Sequence, residues 1–99
     1  MLNRANLRLE KNVLVDKLIV ENGRAVGVRF MQGGDVVEAR TKGEVILCAG
    51  SIGSTQVLHR SGIGPADWLA PLGIDTVLDR PGVGRNLQDH LQQRAIYKV

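Results

Sequence analysis

Aromatic residues are scarce: Phe30, Trp68 and Tyr97 are the only three in 99 residues. Aromatics give small cores much of their buried area, so a core here must rest on Val, Leu and Ile. Cysteine is scarcer still. The single thiol, Cys48, excludes an intrachain disulfide and zinc sites built from cysteine pairs. It is compatible with a reducing compartment without establishing one. The longest apolar run is Val45-Ile46-Leu47-Cys48-Ala49, far short of a membrane span. The start, Met1-Leu2-Asn3-Arg4, has no apolar signal region. Charge of one sign never clusters: 13 Lys and Arg stand against 10 Asp and Glu, for a net +3 spread along the chain. That distribution argues against a nucleic-acid or membrane-surface partner. A hydrophobic share of 43% with 23% charged residues fits a globular chain, not a disordered tail. The length suits one domain with a modest core and is too short for two.

Glycine is plentiful, with 12 residues, close to twice the average share. Much of this backbone must turn or be closely approached. Asn6 to Glu10 alternates and predicts a short strand. Val13 to Glu21 is β-branched and apolar and predicts a longer one. Asn22-Gly23 tolerates positive φ at both turn positions and predicts a tight hairpin. Ala25 to Phe30 is the return strand, with Val26, Val28 and Phe30 on one face. After Gly33-Gly34, Asp35 to Arg40 completes an antiparallel β-meander. The pattern then changes. Glu44 to Cys48 is continuously apolar between glycines, which predicts a strand buried on both faces, as in parallel sheets. Ser51 to Ser61 predicts a helix with Val57 and Leu58 inward and Gly62 at its C-terminus. Pro65 to Leu69 predicts a short helix with Pro65 in the first turn. Ile74 to Leu78 is a further strand candidate. Asp79 to His90 reads as loop, and Leu91 to Val99 as an extended segment. The fold class is thus α/β (α+β): a meander over 6–40, strand, glycine turn and helices over 44–70, and a loop from 79 onward.

Few groups invite chemistry. Gly50-Ser51-Ile52-Gly53-Ser54 joins the apolar run to a helix start. Free N–H groups and the helix dipole make such a corner an anion site. The alternative is a tight corner with Ser51 or Ser54 as helix cap. There is no G-x-G-x-x-G fingerprint anywhere in the chain. Ser61-Gly62-Ile63-Gly64-Pro65 reads first as a helix stop followed by a helix start. Asp89-His90 sets a carboxylate beside an imidazole, but adjacent side chains seldom face each other, so a loop hydrogen bond is the simpler reading. His59, beside Arg60, reads as solvated. Cys48 reads as an inert buried hydrophobe. Ser51, Ser54 and Ser61 lack a nucleophile-elbow context. No residue is assigned as catalytic or as a metal ligand.

The stretch Gly50-Ser51-Ile52-Gly53-Ser54-Thr55-Gln56-Val57-Leu58-His59-Arg60-Ser61-Gly62-Ile63-Gly64 resembles the second signature of the glucose-methanol-choline (GMC) oxidoreductases. Thr55 stands where that family usually has proline, a change that should cost little at an early helical position. Pro81-Gly82-Val83-Gly84-Arg85-Asn86-Leu87-Gln88-Asp89-His90 is similar to a second stretch of the same family. Asn6-Leu7 and Arg24-Ala25-Val26-Gly27-Val28 also fit its course, and the choline dehydrogenase branch is the nearest in detail.

The resemblance implies part of an FAD-binding domain. It implies that the backbone of Val15 contacts the adenine of FAD. Cys48, Ala49 and Gly50 would then lie near the ribose and pyrophosphate. It implies a parent enzyme that oxidises a small alcohol to an aldehyde, with hydride passing to the flavin. The dinucleotide fingerprint and catalytic histidine of complete members have no counterpart here, and such enzymes run to about five times this length. The expectation is therefore an internal fragment that partners the rest of a parent chain. Alone it should be catalytically silent and hold FAD weakly or not at all. The competing expectation is a non-enzymatic binding module. Under either, unpaired strand edges favour self-association.

Overall fold

The computed structural model describes residues 4–98. Three strands, β1 (Val13–Glu21), β2 (Arg24–Gln32) and β3 (Asp35–Arg40), form an antiparallel sheet in that order. The β1–β2 turn has the predicted chemistry, with Asn22 at φ 51° and Gly23 at φ 74°. Val15 stands opposite Phe30, and Leu18 opposite Val28. Phe30 and Val28 lie two apart on one face of β2, whereas Val15 and Leu18 are three apart. A bulge between Val15 and Lys17 absorbs the extra residue, so both apolar side chains stay on the same face. Asp16 is that residue, and its carboxylate accepts from Arg29 Nε at 2.8 Å.

The helix α1 (Gly50–Arg60) lies against β1. It starts and stops one residue before the predicted bounds. Val57 is its buried residue. At the C-terminus the predicted glycine, Gly62, adopts φ +77°. A short parallel pair follows, β4 (Ile63–Gly64) with β5 (Leu78–Asp79). Between them lie α2 (Ala66–Leu69) and a 3-10 turn over Ala70–Leu72. Pro65 sits at the N-cap of α2 rather than in its first turn. The Asp79 carboxylate accepts from the Ala66 N–H at 3.1 Å and takes over the capping role.

The free edge of β1 is covered by the end of α1. Leu18 N–H donates to Ser61 Oγ at 2.8 Å, and Ser61 Oγ donates to the Val57 carbonyl at 2.6 Å. Arg60 donates to the carbonyls of Asp16 at 2.7 Å and Val15 at 3.1 Å. An uncovered edge strand is a template for foreign strands; here a hydroxyl and a guanidinium occupy it.

Three expectations fail. Residues 6–10 form no strand: Glu10 is instead held by side chains, Arg8 and Gln32. Those hydrogen bonds, Arg8 first, hold the Glu10 carboxyl below its ordinary range. The strand predicted over Ile74 to Leu78 shrinks to β5. The apolar run Glu44 to Cys48 has no ladder partner among the described residues. Ile46 is 79% exposed and Cys48 is exposed, not an inert buried thiol. The run's composition suits burial, yet only Val45 and Leu47 are half-buried, and it borders an open pocket shared with Gly23, Arg24 and Ala25. Arg24 anchors only its approach, donating to the carbonyls of Lys42 and Gly43.

The buried hydrophobic residues are Leu18, Phe30, Val57 and Leu69. The expected reliance on aliphatic side chains therefore has one aromatic exception. The radius of gyration is 18.0 Å, against about 13 Å for a compact chain of this length. Residues 84–98 are exposed throughout and account for part of the excess.

Candidate functional site

The apolar run enters α1 through Ala49, its N-cap, and Gly50. Gly50 takes φ +78°, and a Cβ there would meet nothing within 4 Å. Backbone conformation, not crowding within this chain, therefore demands glycine. Neither Ser51 nor Ser54 caps the helix in the expected way, since no side chain bonds to the first-turn N–H groups. Ser54 Oγ instead accepts from the Ala49 N–H at 3.1 Å. The first turn carries no acidic residue. Its N–H groups and the positive end of the helix dipole thus face outward uncompensated.

Beside that turn runs a groove of about 390 Å³. One wall is α1, through Ser51, Ile52, Thr55 and Gln56. The other is the loop Gly84 to Gln88. The structure thus joins the two stretches that carry the family resemblance. Thr55 donates its hydroxyl back to the Ser51 carbonyl at 2.8 Å, and its methyl lies 3.2 Å from where a Cβ on Gly84 would be.

The joint between the walls is His59. It is half-buried, which corrects its reading as solvated. Its Nε2 donates to the Val83 carbonyl at 3.2 Å. Its ring meets Trp68 edge-on, centroids 6.3 Å apart. Over the same indole sits the Arg85 guanidinium, 4.8 Å from the ring centroid, within cation–π range. Sequence reasoning missed this cluster. Its only trace in the sequence is the two glycines, Gly64 and Gly84, whose backbones the imidazole touches.

Val15 lies apart from the α1 N-terminus, at the other end of that helix. With Leu14, Asp16, Met31 and Arg60 it lines a shallow pocket of about 200 Å³. Its carbonyl is already engaged by Arg60. Cys48, Ala49 and Gly50 are adjacent and exposed. Asp89 and His90 do not pair through their side chains: the Asp89 carboxylate accepts from the His90 backbone N–H at 2.9 Å. Ser61 is buried in the α1–β1 contact and is structural. Among the described residues, no three His, Cys, Asp or Glu side chains group to hold a metal, and no helix is long and apolar enough to cross a membrane.

The fold recurs in an FAD-dependent oxidoreductase from Chaetomium thermophilum, with a TM-score of 0.74 and 39% identity, covering 78% of this chain and 14% of that one. The class is therefore a mixed α/β segment of an FAD-binding domain. The pattern of the GMC oxidoreductases matches residues 1–92, and the chain belongs to that family. It is 49% identical over 89 residues to the oxygen-dependent choline dehydrogenase of Burkholderia thailandensis, covering 90% of this chain and 16% of that protein. It is 48% identical over 95 residues to that of Chromohalobacter salexigens, covering 96% and 17%. The chain thus spans about a sixth of the length of these relatives.

Proposed function

We propose that this chain supplies one wall of the FAD site of an alcohol-oxidising enzyme and works together with the rest of a longer polypeptide. The observation that carries this reading is the open first turn of α1, with Gly50 at positive φ, no side-chain cap and no carboxylate. Such a turn suits a diphosphate, whose charge the N–H groups and dipole would balance. Cys48, Ala49 and Gly50 would hold the ribose–pyrophosphate part, and the Val15 backbone the adenine. Bound FAD would supply the hydride acceptor for oxidation of a small alcohol, choline being the first to try given the relatives' names. This chain's residues bind and orient; the base that takes the hydroxyl proton lies elsewhere in the polypeptide.

On this reading the chain is an internal part of one FAD-binding domain, and its partner is the remaining polypeptide. The run Glu44 to Cys48, exposed at Glu44, Ile46 and Cys48, awaits strands from that partner. By itself the chain is catalytically silent and holds FAD weakly. The same bare run supports a second reading, a small module that associates with copies of itself.

The test compares the purified chain with the product of its extended reading frame. Flavin absorbance and choline oxidation with an artificial electron acceptor are measured for both. The proposal expects both signals only in the longer protein. Tight yellow cofactor and turnover in the 99-residue chain would end the silent-segment reading. A longer protein without flavin would end the FAD reading. A frame closed by stop codons at both ends favours the module.

A further inference from the structure

We propose that His59 is a positioning residue. Its imidazole latches the loop Pro81 to Gln88 onto α1 and so sets the width of the groove beside the Gly50 turn. That the groove faces a cofactor rests on the function proposed above; the latch itself does not.

The loop has few other means of staying in place. It forms no strand or helix. Its backbone bonds, Val83 N–H to Arg80 and Arg85 N–H to Gly82, are local turns. It is tied at its entry, where Arg80 N–H donates to the Gly64 carbonyl at 2.9 Å. Beyond that point two ties reach across space: the His59 bond to Val83 and the Arg85 stack on Trp68. Both meet at one ring cluster.

The slot for the imidazole is cut to shape. A Cβ on Gly64 would fall 2.6 Å from His59 Cδ2, and all three of its nearest atoms would belong to His59. A Cβ on Gly84 would fall 2.8 Å from His59 Cε1. The ring thus lies between two bare backbones, one on the β4 strand and one on the loop. A smaller side chain leaves the gap unfilled, and a methyl on Gly64 expels the ring. Either way Val83 loses its donor, and beyond its entry the loop keeps only the Arg85 stack on Trp68. Arg85, Asn86 and Gln88, which form the outer groove wall, then lose their fixed distance from Ser51 and Thr55.

Trp68 is the sole tryptophan and touches both His59 and Arg85, so its fluorescence reports the latch without any flavin. The experiment measures emission maximum and iodide quenching for the wild type, His59→Ala, Gly64→Ala and the double variant, with far-ultraviolet circular dichroism as the check on the sheet. Expected is a changed emission and about a twofold rise in quenching for each single variant, with the strand signal kept. The double variant should match His59→Ala, because the methyl then enters vacated space. Hydrogen exchange should quicken over residues 81–88 and stay unchanged in β1 and β2. Unchanged emission in His59→Ala overturns the latch. So do additive effects in the double variant. Loss of the strand signal in His59→Ala also overturns it, since His59 would then be a general core residue. Failure of the flavin test above leaves all these readings intact, so the two proposals fall separately.

Discussion

Replacing Ser61 by alanine isolates the joint between helix and sheet. The Ser61 hydroxyl is buried, accepts from Leu18 N–H at 2.8 Å and donates to the Val57 carbonyl at 2.6 Å. Alanine fits the same space, so no clash or large cavity confuses the result. The Val57 carbonyl keeps a partner, the Ser61 backbone N–H at 3.1 Å. Leu18 N–H keeps none, because it points away from β2 toward the helix. An orphaned buried donor costs about 1–3 kcal/mol. Taking about 2 kcal/mol, the folded-to-unfolded ratio falls roughly 30-fold. With a slope of roughly 1–2 kcal/mol per molar urea, the midpoint drops by about 1–2 M. Urea titration followed by circular dichroism reads the midpoint. Amide exchange at Leu18 reads the local effect, which should exceed that at Ile19 in the same strand. A midpoint within about 0.3 M of wild type, with Leu18 still protected, would refute the reasoning.

Three further outcomes are expected. Gly50→Ala forces an alanine into a left-handed conformation and should cost about 1 kcal/mol, read by thermal melting, although its Cβ touches nothing. Glu10 has its carboxyl lowered by Arg8 and Gln32. Its contribution is therefore present above the unfolded value and lost as pH falls through the lower folded one. A carboxyl titration followed by NMR should place the midpoint below the ordinary 4.5, and Arg8→Ala should raise it. Ile46→Lys puts a charge on the bare apolar run and should lower concentration-dependent association, seen as a smaller mean mass in sedimentation.

The meander was legible because local rules decide it. β-branched apolar composition marked β1, the one-face spacing of Val26, Val28 and Phe30 marked β2, and Asn22-Gly23 marked the turn, whereas alternation alone misread residues 6–10. The bulge at Asp16 was not legible, since it depends on which face of β1 meets Phe30 and Val28. The helix and its glycine stop were also local, and so were read to within one residue. The run Glu44 to Cys48 was read as buried from composition alone. Burial is a property of neighbours, and residues 4–98 supply enough to half-bury Val45 and Leu47 but leave Ile46 and Cys48 exposed. His59 failed for the opposite reason. A polar residue beside Arg60 looks solvated until two distant glycines close around it. The glycine turn at Gly50 was visible, but its hydroxyl partner was inverted. Ser54 serves the incoming chain rather than the helix.

The covering of β1 by Arg60 and Ser61 has a directional consequence. The sheet is freer to lengthen past β3, because the middle of its other border is already occupied by the helix end at Val15, Asp16 and Leu18. A newly arriving strand is therefore steered to one side, whichever polypeptide it comes from. The α1 end thus acts as a stop that biases the growth polarity of the sheet, and Arg60→Ala would release only its Val15 and Asp16 carbonyls while Ser61 still holds Leu18 N–H.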